Sequence, residues 1–168
     1  MLLFHFHYVN KMNLTESLPP THDYWQAWFD GSALPNPGKI GIGAVLLSPE
    51  GQRFEKSLQP GLRGCNNQAE LHALCATLEL AHGAGAQYLL VRGDSDVTIR
   101  YVSGQGSTKI AVLQTLVEQA RAWLNRFEEV QLCWVPRHRN SEADHLCRLA
   151  LGLPDKSAVT SKKKKRRR

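Results

Sequence analysis

Four carboxylates stand at points where this chain is expected to change element: Asp30, Glu70, Asp94 and Asp144. Asp30 ends the aromatic-rich run Tyr24 to Phe29, which reads as a strand that Gly31-Ser32, with Pro35, Asn36, Pro37 and Gly38 behind them, should not continue. Asp94 follows a second such run, Gln87 to Val91, through Arg92 and Gly93. Glu70 and Asp144 fall in the opening turns of two expected helices. Each acid alone has a plain reading, since Asp before Gly is a common turn pair and a carboxylate suits the positive end of a helix. Gathered into one cleft, the four would repel by several kcal/mol at low effective dielectric, an arrangement that makes sense only when cations fill it. Hard oxygen donors without sulfur or clustered imidazole favour Mg²⁺ or Mn²⁺ over Zn²⁺. Two such ions about 3.5–4 Å apart would activate a water and stabilise the leaving oxygen of an in-line phosphoryl displacement.

The elements that must position these acids follow from periodicity. After the Tyr24 to Asp30 strand, Lys39 to Ser48 reads as a second strand, Pro49-Glu50-Gly51 as a turn and Gln52 to Leu58 as a third strand, an antiparallel meander. Asn66 or Asn67 is expected to cap a helix with Leu71, Leu74, Cys75 and Leu78 on its inner face, stopped by Gly83 and Gly85. Tyr88, Leu89, Leu90 and Val91 form a near-continuous apolar run, the mark of a strand buried on both faces in a parallel pairing. Ser95 caps a short helix through about Val102. Leu113, Leu116, Val117, Ala120, Leu124 and Phe127 mark a longer amphipathic one. Val130 to Val135 is the last strand, and a polar loop leads to a closing helix containing Leu146, Cys147, Leu149 and Ala150. A right-handed crossover makes the first and fourth strands parallel neighbours, so sites form outside their carboxyl ends.

With 168 residues and 42% hydrophobic content the chain has room for one domain with its own core. The net charge of +6 is unevenly spread: Lys162, Lys163, Lys164, Lys165, Arg166, Arg167 and Arg168 hold seven of 21 basic residues, and the remaining 14 face 15 acids. The body is therefore not basic, and the terminal run reads as a solvated tail. Residues 1–22 read as a poorly ordered leader, 23–152 as the domain and 153–168 as a flexible basic tail. His5, His7 and His22 in the leader are attributed to composition rather than to a metal site. Four cysteines without a Cys-x-x-Cys pair point to reduced thiols, and no segment has the form of a signal peptide or membrane span. A soluble cytoplasmic monomer is expected, and in a eukaryote the basic run would also read as a nuclear address.

Asp30-Gly31-Ser32 with Asn36-Pro37-Gly38, Asn66-Asn67-Gln68-Ala69-Glu70, Gly93-Asp94-Ser95, and Trp134-Val135-Pro136-Arg137 with Asn140 and Ala143-Asp144 together resemble ribonuclease H type 1 over residues 24–151. The resemblance implies an α/β fold: a mixed five-stranded sheet of order 3-2-1-4-5, strands 1 to 3 antiparallel, 4 and 5 parallel to 1, flanked by helices. It implies cleavage of the RNA strand of an RNA/DNA hybrid, leaving a 3′-hydroxyl and a 5′-phosphate, with two Mg²⁺ ions, or Mn²⁺ in their place, held by Asp30, Glu70, Asp94 and Asp144. His138 matches a mobile histidine that helps the attacking water or product departure. Gly31, Ser32, Asn36, Asn66, Asn67 and Asn140 match substrate contacts, where amides and backbone groups bond a 2′-hydroxyl that DNA lacks.

The departures from that pattern are informative. Val97 to Val112 is short and holds only Arg100 and Lys109 where some relatives carry a Lys/Arg- and Trp-rich handle, and nothing before Tyr24 resembles a separate hybrid-binding domain. The compact stretch from Trp134 to Asp144 is similar to the short archaeal and retroelement-like branch. Asp96 stands where many relatives have Gln. Two other readings share these residues, a hybrid-binding module without activity and a DNA-acting nuclease of the same fold.

Overall fold

The computed structural model describes residues 5–9, as main chain, and residues 23–154. Its strands are β1 (His5–Val9), β2 (Trp25–Leu34), β3 (Gly38–Leu47), β4 (Arg53–Leu58), the two-residue β5 (Arg63–Gly64), β6 (Tyr88–Gly93) and β7 (Glu129–Trp134). Its helices are α1 (Asn66–Gly83), α2 (Asp96–Val102), α3 (Ala111–Leu124) and α4 (Ser141–Ala150), with a single 3₁₀ turn at Arg137–Arg139. The sheet order is β1-β7-β6-β2-β3-β4, with β5 pairing β3. The central run β4-β3-β2-β6-β7 reproduces the expected 3-2-1-4-5 arrangement, with β2–β3 and β3–β4 antiparallel and β2–β6 and β6–β7 parallel. One strand was not legible from the sequence: His5–Val9, inside the stretch read as a leader, pairs in parallel with Glu129–Cys133 of β7. The rest of that leader and the basic tail lie outside the described residues.

The apolar pattern explains the layers. Leu89, Leu90 and Val91 of β6 are all buried, as a central parallel strand requires. On α3, Leu113, Leu116, Val117, Ala120 and Leu124 recur at helical spacing and turn inward. With Leu71, Leu74 and Leu78 of α1, and with Phe29, Ile40 and Leu46 of the sheet, they form the main core. The opposite face carries α4. Strand alternation sends Gly31 toward α1, whereas Gly43, paired with Asp30, faces Ala143 and Cys147 of α4.

β2 differs from the expected strand in its length. It does not stop at Asp30 but runs through Gly31 and Ser32 to Leu34, paired with β3 as far as Lys39. Gly31 is not a breaker: a Cβ built there would lie 2.1 Å from the Ala69 carbonyl oxygen of α1, so its missing side chain admits a helix. The pairing of β2 with β6, by contrast, ends at Phe29–Gly93. Asp30 therefore sits where one ladder stops while the other continues.

α1 differs in its start. Asn66 and Asn67 are its first two residues, and the cap is Cys65, whose backbone N–H donates to Gln68 Oε1 at 2.9 Å. Glu70 consequently lies in the second turn rather than the first, and no acid occupies the first turn. Ser95 caps α2 as expected, its Oγ accepting from Thr98 N–H at 3.3 Å. α3 closes at Leu124, and Phe127 packs into the core from beyond it. Eight residues, 103–110, join α2 to α3 with no helix between them. No described helix is long and apolar enough to cross a membrane.

Candidate active site

The four acids reach one cavity of about 240 Å³ from four elements: Asp30 from β2, Glu70 from α1, Asp94 from the end of β6 and Asp144 from the first turn of α4. Asp30, Glu70 and Asp94 each offer an oxygen within 4.8 Å of the others. Asp144, 4% exposed, completes the lining. Main-chain and side-chain bonds fix the frame. Gly31 N–H donates to Glu70 Oε2 at 3.3 Å, which ties α1 to the stretch of β2 that β6 no longer pairs. The indole N–H of Trp134 donates to the Asp94 carbonyl at 3.1 Å and holds the end of β6 against β7.

The electrostatics are those of crowded acids. Burial, then the neighbouring Asp94, raises Asp30 to a pKa of about 6. Glu70 is pushed well above the usual carboxylate range by burial and then by Asp30 and Asp94, against the Gly31 N–H, which favours its charged form. Two arginines line the cavity with them, Arg137 and Arg148. Arg137 Nη2 donates to Asp144 Oδ1 at 3.3 Å, and its guanidinium is held above its ordinary value first by that bond. Two guanidiniums against four carboxylates still leave negative charge uncompensated. A set of convergent, partly buried oxygens with no sulfur among its closest members fits a hard divalent cation.

The substrate-contact candidates divide into three groups. Gly31, Ser32, Asn66 and Asn67 line the cavity. Asn36 is exposed beside it, and its Oδ1 accepts from Asn66 N–H at 3.0 Å, while Asn66 Oδ1 accepts from Ala33 N–H at 2.9 Å. Asn140 is buried and turned inward, 1% exposed. His138 lies in the Arg137–Arg139 turn, exposed, and is not among the residues lining the cavity.

Six lining residues are not among the expected site residues: Ser95, Arg137, Cys147, Arg148, Leu151 and Leu153. Arg137 was read only as part of a motif, although a cation beside the fourth acid was the signal. Cys147 lies one turn after Asp144, on the α4 face that meets Asp30, and its thiol donates to the Gly41 carbonyl at 3.3 Å. Burial, then Asp30, pushes that thiol well above its ordinary pKa, so it acts as a neutral donor rather than a nucleophile.

Against known proteins, residues 28–150 match the family model described as reverse transcriptase-like. Ribonuclease HI of Halobacterium salinarum is 36% identical over 125 residues, which cover 74% of this chain and 63% of that protein's length. The crystal structure of RNase H1 from that archaeon superposes with a TM-score of 0.70 at 34% identity, covering 77% of this chain and 98% of that one. A compost-derived RNase H1, LC11, solved in complex with an RNA/DNA hybrid, gives a TM-score of 0.66 at 27% identity, covering 73% and 92%.

Proposed function

This chain belongs to the ribonuclease H-like family, and from that premise we propose that it is an endoribonuclease hydrolysing the RNA strand of RNA/DNA hybrids, leaving a 3′-hydroxyl and a 5′-phosphate. The observation that carries the reading is the convergence of Asp30, Glu70 and Asp94 within 4.8 Å, with Asp144 on the same wall. These four would hold two Mg²⁺ ions, or Mn²⁺ in their place. Bound there, the ions supply charge neutralisation and a lowered water pKa for an in-line displacement. The chain's own residues do the rest. The acids would hold the cations, Gly31 N–H keeps Glu70 oriented, and Arg137, beside Asp144, offers its guanidinium to phosphate. Gly31, Ser32, Asn36, Asn66 and Asn67 read the RNA strand, where a 2′-hydroxyl finds amide partners. His138, next to Arg137 and facing solvent, serves the attacking water or the departing product. The enzyme works as a cytoplasmic monomer.

The basic tail supplies the attraction that the near-neutral body lacks. Leu153 lines the cavity and Arg148 Nη2 donates to the Pro154 carbonyl at 2.9 Å, so the chain leaves the domain at the rim of the site. Eight further residues reach Lys162, a span of at most roughly 29 Å, which keeps Lys162 to Arg168 within range of phosphates flanking the cut. Each contact made there adds a counterion-release term that weakens with salt.

A labelled hybrid and the same DNA duplex, each with Mg²⁺ and with Mn²⁺, resolved on a gel, test the reading. Cleavage confined to the RNA of the hybrid supports it. Cutting of the DNA duplex points to a DNA-acting nuclease of the same fold, and hybrid binding without cleavage under either metal points to a binding module. In the same assay, removing Lys162 to Arg168 should raise KM on the order of tenfold at low salt and flatten its salt dependence, with kcat within about twofold. An unchanged KM at low salt would refute the role of the tail.

A further inference from the structure

We infer that Asn140 is a positioning residue for the carboxylate cluster, and not the substrate contact that its place in the motif suggests; the inference rests on the proposed metal-dependent function of that site. Asn140 touches the supports of three of the four acids. Its Nδ2 donates to the carbonyl of Phe29, the residue before Asp30, at 2.8 Å. The same Nδ2 donates to Asp94 Oδ1 at 3.3 Å. Its backbone carbonyl accepts the Asp144 N–H at 3.0 Å, opening the first turn of α4. One side chain and one peptide thus link β2, β6 and α4 at the point where the β2–β6 ladder ends.

Chemistry fixes which way the amide points. Both partners of the side chain are acceptors, so the NH₂ group must face them. The remaining atom, Oδ1, is buried and has no hydrogen-bond partner among the described residues. An unsatisfied buried acceptor costs about 1–3 kcal/mol. A residue kept at that cost, 1% exposed, offers no surface to a nucleic acid, but it gives Asp94 a neutral donor on one oxygen and leaves the other for a cation. Asp at this position would add a fifth negative charge and remove both donations; Ala would remove the donations alone. Partners that orient ligating carboxylates in this way are typically worth 10–100-fold in metal affinity.

The test compares the full-length protein with its Asn140→Ala and Asn140→Asp variants. Mg²⁺ and Mn²⁺ affinity is measured calorimetrically on each protein without nucleic acid, and kcat and KM on the hybrid separately. The dissociation constant for metal should rise about 10–100-fold in Asn140→Ala and further in Asn140→Asp. KM for hybrid should stay within about twofold, and kcat of Asn140→Ala should recover in part as metal is raised. Unchanged metal affinity overturns the inference, most directly if KM rises instead, the result expected of a substrate contact. Should both variants fail to fold, the side-chain NH₂ resonances of Asn140 in the intact protein decide. Slow exchange and a shift that follows Mg²⁺ binding support the inference, and resonances unmoved at saturation overturn it. If the intact protein cuts no hybrid yet Asn140→Ala still loses metal affinity, the proposed function fails while the positioning role stands.

Discussion

An Asp30→Asn protein is expected to fold, to withstand more heat than the parent in the absence of divalent metal, and to cut no hybrid. The loss of activity follows from position: Asp30 is 7% exposed, lies among the other acids and is a proposed metal ligand. Removing its charge should lower kcat at least on the order of 10³-fold, about 4 kcal/mol of transition-state stabilisation, while the hybrid still binds. The gain in stability follows from the raised pKa. The folded-state value, about 6, lies above the ordinary 3.8, so folding binds a proton more tightly than the unfolded chain does. The stability this provides is complete below about pH 4 and is lost as pH climbs through 6; at pH 8 the folded protein carries the full repulsion. Glu70, also raised, works in the same direction. Metal-free melting of the parent should therefore fall between pH 5 and pH 8, and the fall should be smaller in Asp30→Asn. Thermal melts with chelator at both pH values measure this. An Asp30→Asn protein that melts below the parent at pH 8, or that retains cleavage within tenfold, contradicts the account.

Gly31→Ala should be among the most damaging single-methyl changes in the described residues. The added Cβ would stand 2.1 Å from the Ala69 carbonyl oxygen and 2.5 Å from the Glu70 nitrogen, both main-chain atoms that cannot rotate away. Relief requires α1 to move off β2, which breaks the 3.3 Å bond from Gly31 N–H to Glu70 and carries that carboxylate away from Asp30. A loss of at least about 4 kcal/mol of stability is expected, near the upper end for point changes, together with loss of cleavage. Urea titration of Gly31→Ala beside Gly51→Ala separates close approach from glycine content. Gly51 has a positive φ of 86° but nothing within 4 Å of its missing Cβ, so its replacement is strained and not clashing, and should cost less. Equal losses in the two variants would show that the approach of α1 is not what Gly31 serves.

Much of this was legible in the residues, for a physical reason. The acids at 30, 70, 94 and 144 fall at or near element boundaries, where periodicity changes and can be read locally, and their common sign makes convergence informative. The strand order followed from the helical crossovers that make β6 a parallel neighbour of β2 and β7 a parallel neighbour of β6. What was misread depends on contacts between distant segments. Gly31 and Ser32 look like a stop until α1 is laid against them, and only then does glycine mean close approach. Glu70 was placed one turn early because Cys65 is an uncommon cap, although Gln68 at the third helical position carried the signal. Asn140 reads as one more polar loop residue; that it is buried and bridges two strands is a fact of tertiary structure. β1 could not be foreseen, since a short strand completing an edge needs its neighbour to define it.

The stretch from Asp30 to Leu34, zipped to β3 on one side and released by β6 on the other, has a mechanical consequence. Its freed amides at Gly31 and Ala33 are claimed by the side chains of Glu70 and Asn66, so the fork in the sheet is propped open by hydrogen bonds from the β2 main chain to side chains of α1. On the proposed function, a hybrid entering such a fork would have to present its scissile linkage through its own curvature and groove width. Discrimination of this kind is exerted by the stiffness of the guest, not by the host closing around it.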